Sequence, residues 1–219
     1  MSTNDPHEQE PGHEPAPENR GARLAPAERS AEIAAAARAV ALEDGLSGLT
    51  QRAVAERAGV AASLVAHYQP SMEALIAETF RSIAREELVE VFGHVSLQRD
   101  PVRALRILIV ALLDGGRDDI NLVWTDAFSM ARRHPLLGQE VLEQTRAWHD
   151  RLVTLVLRIP ADPPLTDAAA DRLAAQLLGM VDGLNAHSVI GHRPGRVNVE
   201  LIAHSFEHEL GLETGALSG

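Results

Sequence analysis

Apolar residues recur three and four positions apart along almost the whole chain after residue 25, a spacing that places them on one face of an α-helix. The strict alternation of apolar and polar residues that indicates a strand is nowhere sustained for more than a few residues. The pattern therefore predicts an all-α fold with about nine helices.

Residues that favour helix ends divide this pattern into segments. Thr50, Ser71 and Thr166 suit N-cap positions, and Gly45 and Gly59 suit the residue that follows a helix. The predicted helices span residues 26–42, 51–58 and 61–69, a long stretch after residue 71, a stretch from residue 101 to the glycines at 115 and 116, residues 118–133 and 137–157, a stretch after residue 166, and residues 198–210.

The first 25 residues lack this periodicity. Prolines alternate there with acidic residues, and almost no apolar side chain is available for burial. We predict that residues 1–25 form a disordered, acidic, proline-rich tail, because so little burial cannot offset the entropy of ordering the chain.

Composition excludes several kinds of chemistry. The chain of 219 residues is 45% apolar, has a net charge of −11 and no cysteine, and all of its 20 basic residues are arginine. Without lysine, a phosphate-binding P-loop and a Schiff base are excluded, and without cysteine, thiol nucleophiles and zinc–thiolate sites are excluded. The longest apolar run, residues 107–113, is too short to span a bilayer. We expect a soluble, cytoplasmic protein with no cofactor and no membrane partner.

Residues 50–69 combine two short predicted helices with a glycine-centred turn, the layout of a helix-turn-helix. Three stretches closely resemble the TetR family of transcriptional regulators: TQRAVAERAGV at 50–60, SLVAHY at 63–68 and PSMEAL at 70–75. The helix that precedes this segment and the long helical bundle that follows it are similar to that family in layout.

This resemblance implies a homodimer whose third helix enters the DNA major groove, with a DNA-binding domain at residues 26–72 and a ligand-binding and dimerisation domain at 73–219. The residues that match DNA-contacting positions of the family are Thr50, Arg52, Ala62, Ser63, Ala66, His67 and Tyr68. Thr50, Arg52 and Tyr68 are expected near phosphates, and the other four on the exposed face of the recognition helix.

Three positions depart from the family pattern. Ala66 and Gln69 stand where aromatic residues are usual, and Met72 stands where a phosphate-binding lysine is usual. Two arginines outnumber one glutamate between residues 46 and 72, so we expect modest, salt-sensitive DNA binding.

Aromatic residues are scarce, and three of the seven lie on the predicted sixth and seventh helices. They can serve only as core, or they can line a pocket for a small, mostly apolar molecule between the helices of the bundle. The residues we predict for such a pocket are Trp124, Asp126, Phe128, Met130, Trp148, His149, Met180 and Asn185.

The last two predicted helices carry more apolar residues than one wall of a bundle needs, which favours a homodimer formed through them. The residues that we predict for this interface are Leu173, Leu177, Met180, Leu184, Ile202 and Phe206.

One motif points to a different class of protein. His204, Glu207 and His208 match the HxxEH pattern of inverted zinc peptidases, but the eleven residues after His208 leave little room for a third ligand. We predict no metal site and no enzyme, and interpret these histidines as part of a helix surface near the dimer interface. The alternative is a non-catalytic metal site that also uses His187 or His192.

Two hypotheses for function remain. The first is a ligand-responsive repressor that binds a palindromic operator as a dimer and is released by an effector. The alternative is a helical ligand-binding or protein-interaction dimer in which DNA binding is weakened or lost.

Overall fold

The computed structural model describes residues 25–192 and 195–217, and every regular element within these ranges is helical. The elements are α1 (Pro26–Asp44), a 3₁₀ turn (Leu46–Gly48), α2 (Gln51–Ala58), α3 (Ala62–Tyr68), α4 (Met72–Ser96), α5 (Pro101–Leu113), α6 (Asp118–Met130), α7 (Pro135–Val156), α8 (Asp167–Val189) and α9 (Gly195–Leu210). The all-α prediction is confirmed. The predicted acidic tail lies, apart from Ala25, outside the described residues.

The predicted N-caps form as expected. The hydroxyl oxygens of Thr50, Ser71 and Thr166 each accept a hydrogen bond from the backbone N–H three residues later, at 3.1, 3.2 and 3.2 Å. Four predicted boundaries are shifted by two or three residues, since α1 ends at Asp44 and α9 begins at Gly195, and the other two lie between α6 and α7. Helix α6 ends at residue 130, before a turn, and α7 then begins at Pro135, because proline suits the first position of a helix.

Two hydrophobic cores organise the helices. The N-terminal core lies among α1, the 3₁₀ turn, α2, α3 and the first half of α4, and its largest fully buried side chains include Ile33, Leu46, Leu75, Phe80 and Ile83. The C-terminal core lies among the second half of α4 and α5, α7, α8 and α9, with Leu105, Leu108, Ile109, Leu152 and Phe206 fully buried.

Helices α4, α6 and α7 contribute to both cores. On α6, Val123 and Ala127 are buried in the N-terminal core, while Trp124 packs against both cores. On α7, Leu137 belongs to the N-terminal core and Leu152 to the C-terminal core. A displacement of α6 in one core must therefore be accommodated in the other, because close-packed interiors leave little space for independent adjustment.

Most of the residues predicted for a dimer interface do not lie on the surface. Leu173, Leu177, Ile202 and Phe206 are at most 2% exposed, because they pack in the C-terminal core of the same chain. The assignment of these four residues to an intersubunit surface is wrong. Met180 and Leu184 are half-buried against that core, and their assignment stays a prediction.

Within residues 25–192 and 195–217, no helix is both long and apolar enough to span a membrane.

The first prediction concerns Gly195, the first residue of α9. A Cβ atom at this position would clash with the backbone of Leu113 and Asp114 at the end of α5. Gly195→Ala should lower the free energy of unfolding by about 2 to 3 kcal/mol, because backbone atoms cannot rotate away as a side chain can. Urea denaturation measures this change.

Gly93 on α4 is the matched control, since it is exposed and an added Cβ would meet no atom within 4 Å. Gly93→Ala should raise stability by up to about 1 kcal/mol through helix propensity alone. Equal effects of the two substitutions would contradict the close approach of α9 to α5.

Candidate DNA interface and ligand cavity

A tight turn joins the two short helices of the helix-turn-helix. Gly59 adopts φ +66°, a left-handed conformation that glycine tolerates without a steric penalty. The N–H of the next residue, Val60, donates to the Ala55 carbonyl at 3.0 Å and closes the end of α2. The chain then enters α3, whose Val65 is fully buried in the N-terminal core and holds this short helix in place.

The predicted DNA-contacting residues lie together around α2 and α3. Thr50, Arg52, Ala62, Ser63 and His67 are exposed, whereas Ala66 and Tyr68 are half-buried. The Tyr68 ring packs against the N-terminal core and meets the His67 ring edge-on, with ring centroids 5.2 Å apart. This geometry leaves Ser63 and His67 as the polar side chains that α3 presents outward.

The two arginines of α2 have different surroundings. The Arg57 guanidinium donates to the Glu43 carboxylate on α1, with 2.8 Å between Nη1 and Oε1, and this side-chain hydrogen bond holds the pKa of Glu43 below its ordinary value. Arg52 is exposed at the start of the helix. Met72, which replaces the usual lysine, is half-buried against the N-terminal core.

A cavity of about 170 Å³ lies among α4, α6, α7 and α8, with one residue from α5. Four residues predicted for a pocket line it, namely Trp124, Phe128, Trp148 and Asn185. Leu112, Thr145, Leu178, Val181 and Ala186 complete the largely apolar wall, and Glu87, Asn121, Thr125 and Asp182 supply polar groups.

Four other predicted pocket residues point elsewhere. Asp126 Oδ2 accepts a hydrogen bond from the backbone N–H of Ser47 in the 3₁₀ turn, at 2.8 Å. His149 Nε2 lies 3.3 Å from Asp171 Oδ1 on α8. Met130 packs against the N-terminal core and Met180 against the C-terminal core. Asp126 and His149 are only one or two positions from lining residues, and such a step turns a side chain to another side of its helix.

The cavity carboxylates were not predicted. Glu87 lies in the apolar stripe of α4, four residues after Ile83 and four before Val91, and this break in the pattern was a usable signal. Asp182 gives a weaker signal, because it follows the buried Val181 on α8 without interrupting the stripe.

Glu87 joins α4 to α6. Its side chain is only 5% exposed, and its Oε2 accepts a hydrogen bond from Trp124 Nε1 at 2.7 Å. Its Oε1 lies 3.6 Å from Nε of Arg117, the residue before α6. Burial raises the pKa of Glu87, and the Trp124 hydrogen bond and the Arg117 charge oppose this shift.

Asp182 has no comparable partner. Burial raises its pKa to about 6, and no hydrogen bond or ion pair within the described part of the chain engages its carboxylate. A carboxylate that is held in an aromatic cavity without a counter-ion can accept a cation, whose charge would replace the lost hydration.

The histidine motif does not form a peptidase site. Both oxygens of the buried Glu207 carboxylate accept backbone hydrogen bonds, from Gly215 at 3.0 Å and Leu217 at 2.7 Å. His204 and His208 are exposed. The described ranges contain no cluster of three or more residues able to hold a metal ion.

Comparison with known families covers both halves of the chain. Residues 33–79 match the bacterial regulatory proteins of the tetR family, and residues 99–211 match the C-terminal domain of BetI-type transcriptional repressors. The HTH-type transcriptional regulator BetI of Burkholderia lata is 26% identical over 169 residues, which are 75% of this chain and 84% of that protein.

Solved structures share the fold. A transcriptional regulator from Rhodococcus sp. Rha1 has a TM-score of 0.66 and 27% identity, covering 83% of this chain and 94% of its own. A transcriptional regulator from Saccharomonospora viridis, solved in complex with choline, has a TM-score of 0.72 and 18% identity, covering 83% and 97%. With its helix-turn-helix and its helical C-terminal bundle, the chain belongs to the TetR family of DNA-binding transcriptional regulators.

Proposed function

We propose that this protein is a ligand-responsive repressor that binds a palindromic operator as a homodimer and is released by a small organic cation. The observation that carries the proposal is the unpaired Asp182 carboxylate in a cavity lined by Trp124, Phe128 and Trp148. The alternative, a ligand-binding dimer without DNA binding, has the same cavity, but its α3 does not bind DNA.

The cavity is suited to a cation that carries apolar groups. Aromatic faces attract a positive charge, and this attraction is stronger where water is excluded. The Trp124 and Phe128 rings, with centroids 5.5 Å apart, form one aromatic wall. The two carboxylates add negative charge, so the apolar effector expected from the sequence becomes a cation with apolar substituents. The choline complex of the Saccharomonospora viridis regulator supports this class of ligand.

The effector must also be small. The cavity volume of about 170 Å³ is below the roughly 300 Å³ at which pockets for drug-sized molecules begin. Asn185 Nδ2 donates a hydrogen bond to the Leu112 carbonyl at 3.2 Å. This bond fixes the orientation of the Asn185 amide, which then contributes to ligand specificity together with the two carboxylates.

Helix α6 connects this cavity to the DNA-binding helices. One side of α6 carries Trp124 and Phe128 of the cavity wall, and another carries Asp126, which binds the Ser47 backbone N–H beside α1 and α2. A ligand that changes the position of α6 thereby favours one orientation of the DNA-binding domain over another. Operator affinity then depends on the fraction of molecules whose DNA-binding domain keeps the orientation that fits the operator.

The outward faces of α8 and α9 are suited to a second copy of the chain. Gly179 and Gly183 lie on the exposed face of α8, and an added Cβ at either would meet no atom within 4 Å. Mid-helix glycines lower helix stability by about 1 kcal/mol each, so their presence without an internal packing role favours close approach by another helix. On α9, Leu201 and His204 are also exposed, and the same surface patch of a second copy could pack against them in a two-fold symmetric dimer.

The DNA-binding prediction separates contacts to phosphates from contacts to bases. Arg52→Ala should weaken binding to operator and to scrambled duplex about equally, and should lower the slope of log K against log salt by about one unit. His67→Ala should cost roughly 1 to 3 kcal/mol on the operator alone, with the salt slope unchanged. Titrations at several salt concentrations measure both effects on a palindrome footprinted next to the gene.

Arg103→Ala, at an exposed position on α5, is the control for loss of one positive charge. It should leave all DNA binding unchanged. If Arg52→Ala and His67→Ala both bind every duplex as the wild type does, the dimer without DNA binding becomes the better account.

The effector prediction uses choline as the probe. Asp182→Asn should weaken choline binding by roughly tenfold or more, because a buried charge-assisted contact is lost. Binding to the wild type should also weaken below pH 6, by about tenfold at one unit lower, since protonation removes the Asp182 charge. Calorimetry at pH 5 and pH 8 measures both changes.

Two controls make this test specific. The neutral analogue with a tert-butyl group in place of trimethylammonium should bind weakly to both proteins and without pH dependence. Asp150→Asn, which removes an exposed carboxylate of α7, should bind choline as the wild type does. Equal binding of choline and its neutral analogue would rule out a cation site.

The dimer prediction concerns Gly179. Gly179→Leu should raise the dimer dissociation constant at least about tenfold, because a large side chain separates the paired helices. Sedimentation at micromolar concentration measures the association, and Gly93→Leu on the exposed side of α4 is the control. A Gly179→Leu dimer as stable as the wild type would place the interface elsewhere.

A further inference from the structure

We infer that Arg117 is an internal competitor of the effector: an effector cation that pairs with Glu87 displaces the Arg117 guanidinium and so loosens the start of α6. This inference rests on the proposed function and assigns the residue that transmits effector binding.

The contact between Arg117 and Glu87 lies at the boundary of the cavity. Glu87 lines the cavity, whereas Arg117 lines a separate groove between α4 and α5. Their closest atoms, Arg117 Nε and Glu87 Oε1, are 3.6 Å apart, and Arg117 Nη1 is also 3.6 Å from Glu90 Oε1. One guanidinium thus faces two carboxylates of α4, only one of which an effector in the cavity can reach.

Arg117 is half-buried and incompletely bonded. Its side chain is 15% exposed, and within the described residues neither Nε nor Nη2 has a hydrogen-bond acceptor. Both contacts with carboxylates are longer than a hydrogen bond, so charge attraction alone holds the guanidinium. An effector cation can therefore replace the Arg117 guanidinium next to Glu87. The displaced guanidinium gains free energy, because its unsatisfied donors then bind water.

Glu87 is the point at which the two cations compete. Glu87 and Asp182 line the same cavity, so a cation placed between the two carboxylates compensates both negative charges. Trp124 keeps its hydrogen bond to the other oxygen, Oε2, and fixes the carboxylate in the cavity wall. The oxygen that Arg117 approaches, Oε1, is therefore the one open to exchange.

Displacement of Arg117 acts directly on α6. The residue immediately precedes Asp118, the first residue of the helix, so its ion pair fastens that end of α6 to α4. Without it, the start of α6 keeps the packing of the half-buried Ile120, and the buried contacts of Val123, Trp124 and Ala127 hold the helix nearer its centre. When α6 moves, Asp126 moves with it and shifts the 3₁₀ turn through its hydrogen bond with the Ser47 backbone N–H. Operator affinity then falls, because this turn lies beside the DNA-binding helices.

The test uses Arg117→Gln and measures two affinities of the full-length protein, for choline and for the operator. Choline should bind more tightly, and the operator more weakly in the absence of choline, each by roughly fivefold or more. A residue with only a structural role would lower both affinities. Arg117→Lys restores the charge and should return both affinities towards the wild type. Arg103→Gln, which removes an exposed arginine of α5, should change neither by more than about twofold.

A second measurement needs no variant and covers the case in which Arg117→Gln does not fold. In the wild type, the Nε atom of Arg117 is buried, so we expect its Nε–H to exchange slowly with water in NMR, and choline should accelerate this exchange. The inference is overturned if choline leaves the exchange unchanged. It is also overturned if a folded Arg117→Gln loses both affinities or keeps both. These outcomes leave the proposed function intact. Failure of the wild type to bind choline or operator overturns the proposed function as well.

Discussion

The double attachment of α6 is the constraint on which the rest of this structure depends. Val123 and Ala127 are fully buried in the N-terminal core, while Trp124, the residue after Val123, packs against both cores and lines the cavity. One short helix thus has to satisfy two interiors at native packing density. Any change of the cavity wall is a change in the support of the DNA-binding helices.

The buried carboxylates show a conflict between stability and binding. Glu87 and Asp182 occupy positions where apolar side chains would pack without loss of hydration, and burial raises the pKa of both. A bundle built only for stability would have leucine there. Under the proposed function, the same cost would make the cavity selective, since a cation that enters it would regain electrostatic free energy that a neutral molecule of equal shape cannot.

Little positive charge is available for DNA binding around α2 and α3. The chain has a net charge of −11, and on α2 the Arg57 guanidinium is engaged by Glu43. Non-specific attraction to DNA scales with neutralised phosphates, so such a surface binds DNA weakly unless other contacts add to it. Ser63 and His67 are exposed on α3. In the proposed homodimer they would supply contacts that depend on the base sequence and not on bulk charge.

The sequence by itself determined the local structure. N-caps at Thr50 and Ser71, the left-handed Gly59 and the helical periodicity are short-range properties, and family resemblance identified the DNA-contacting helix from the same stretch. Only the tertiary structure decided where each helix face points. The sequence pattern assigned apolar residues of α8 and α9 to a dimer and Asp126 to a pocket. Leu173, Leu177, Ile202 and Phe206 are instead buried in their own bundle, and Asp126 binds Ser47. Periodicity states which residues share a face of a helix. Which element packs against that face depends on how each helix is rotated against its neighbours, and this is a long-range packing property.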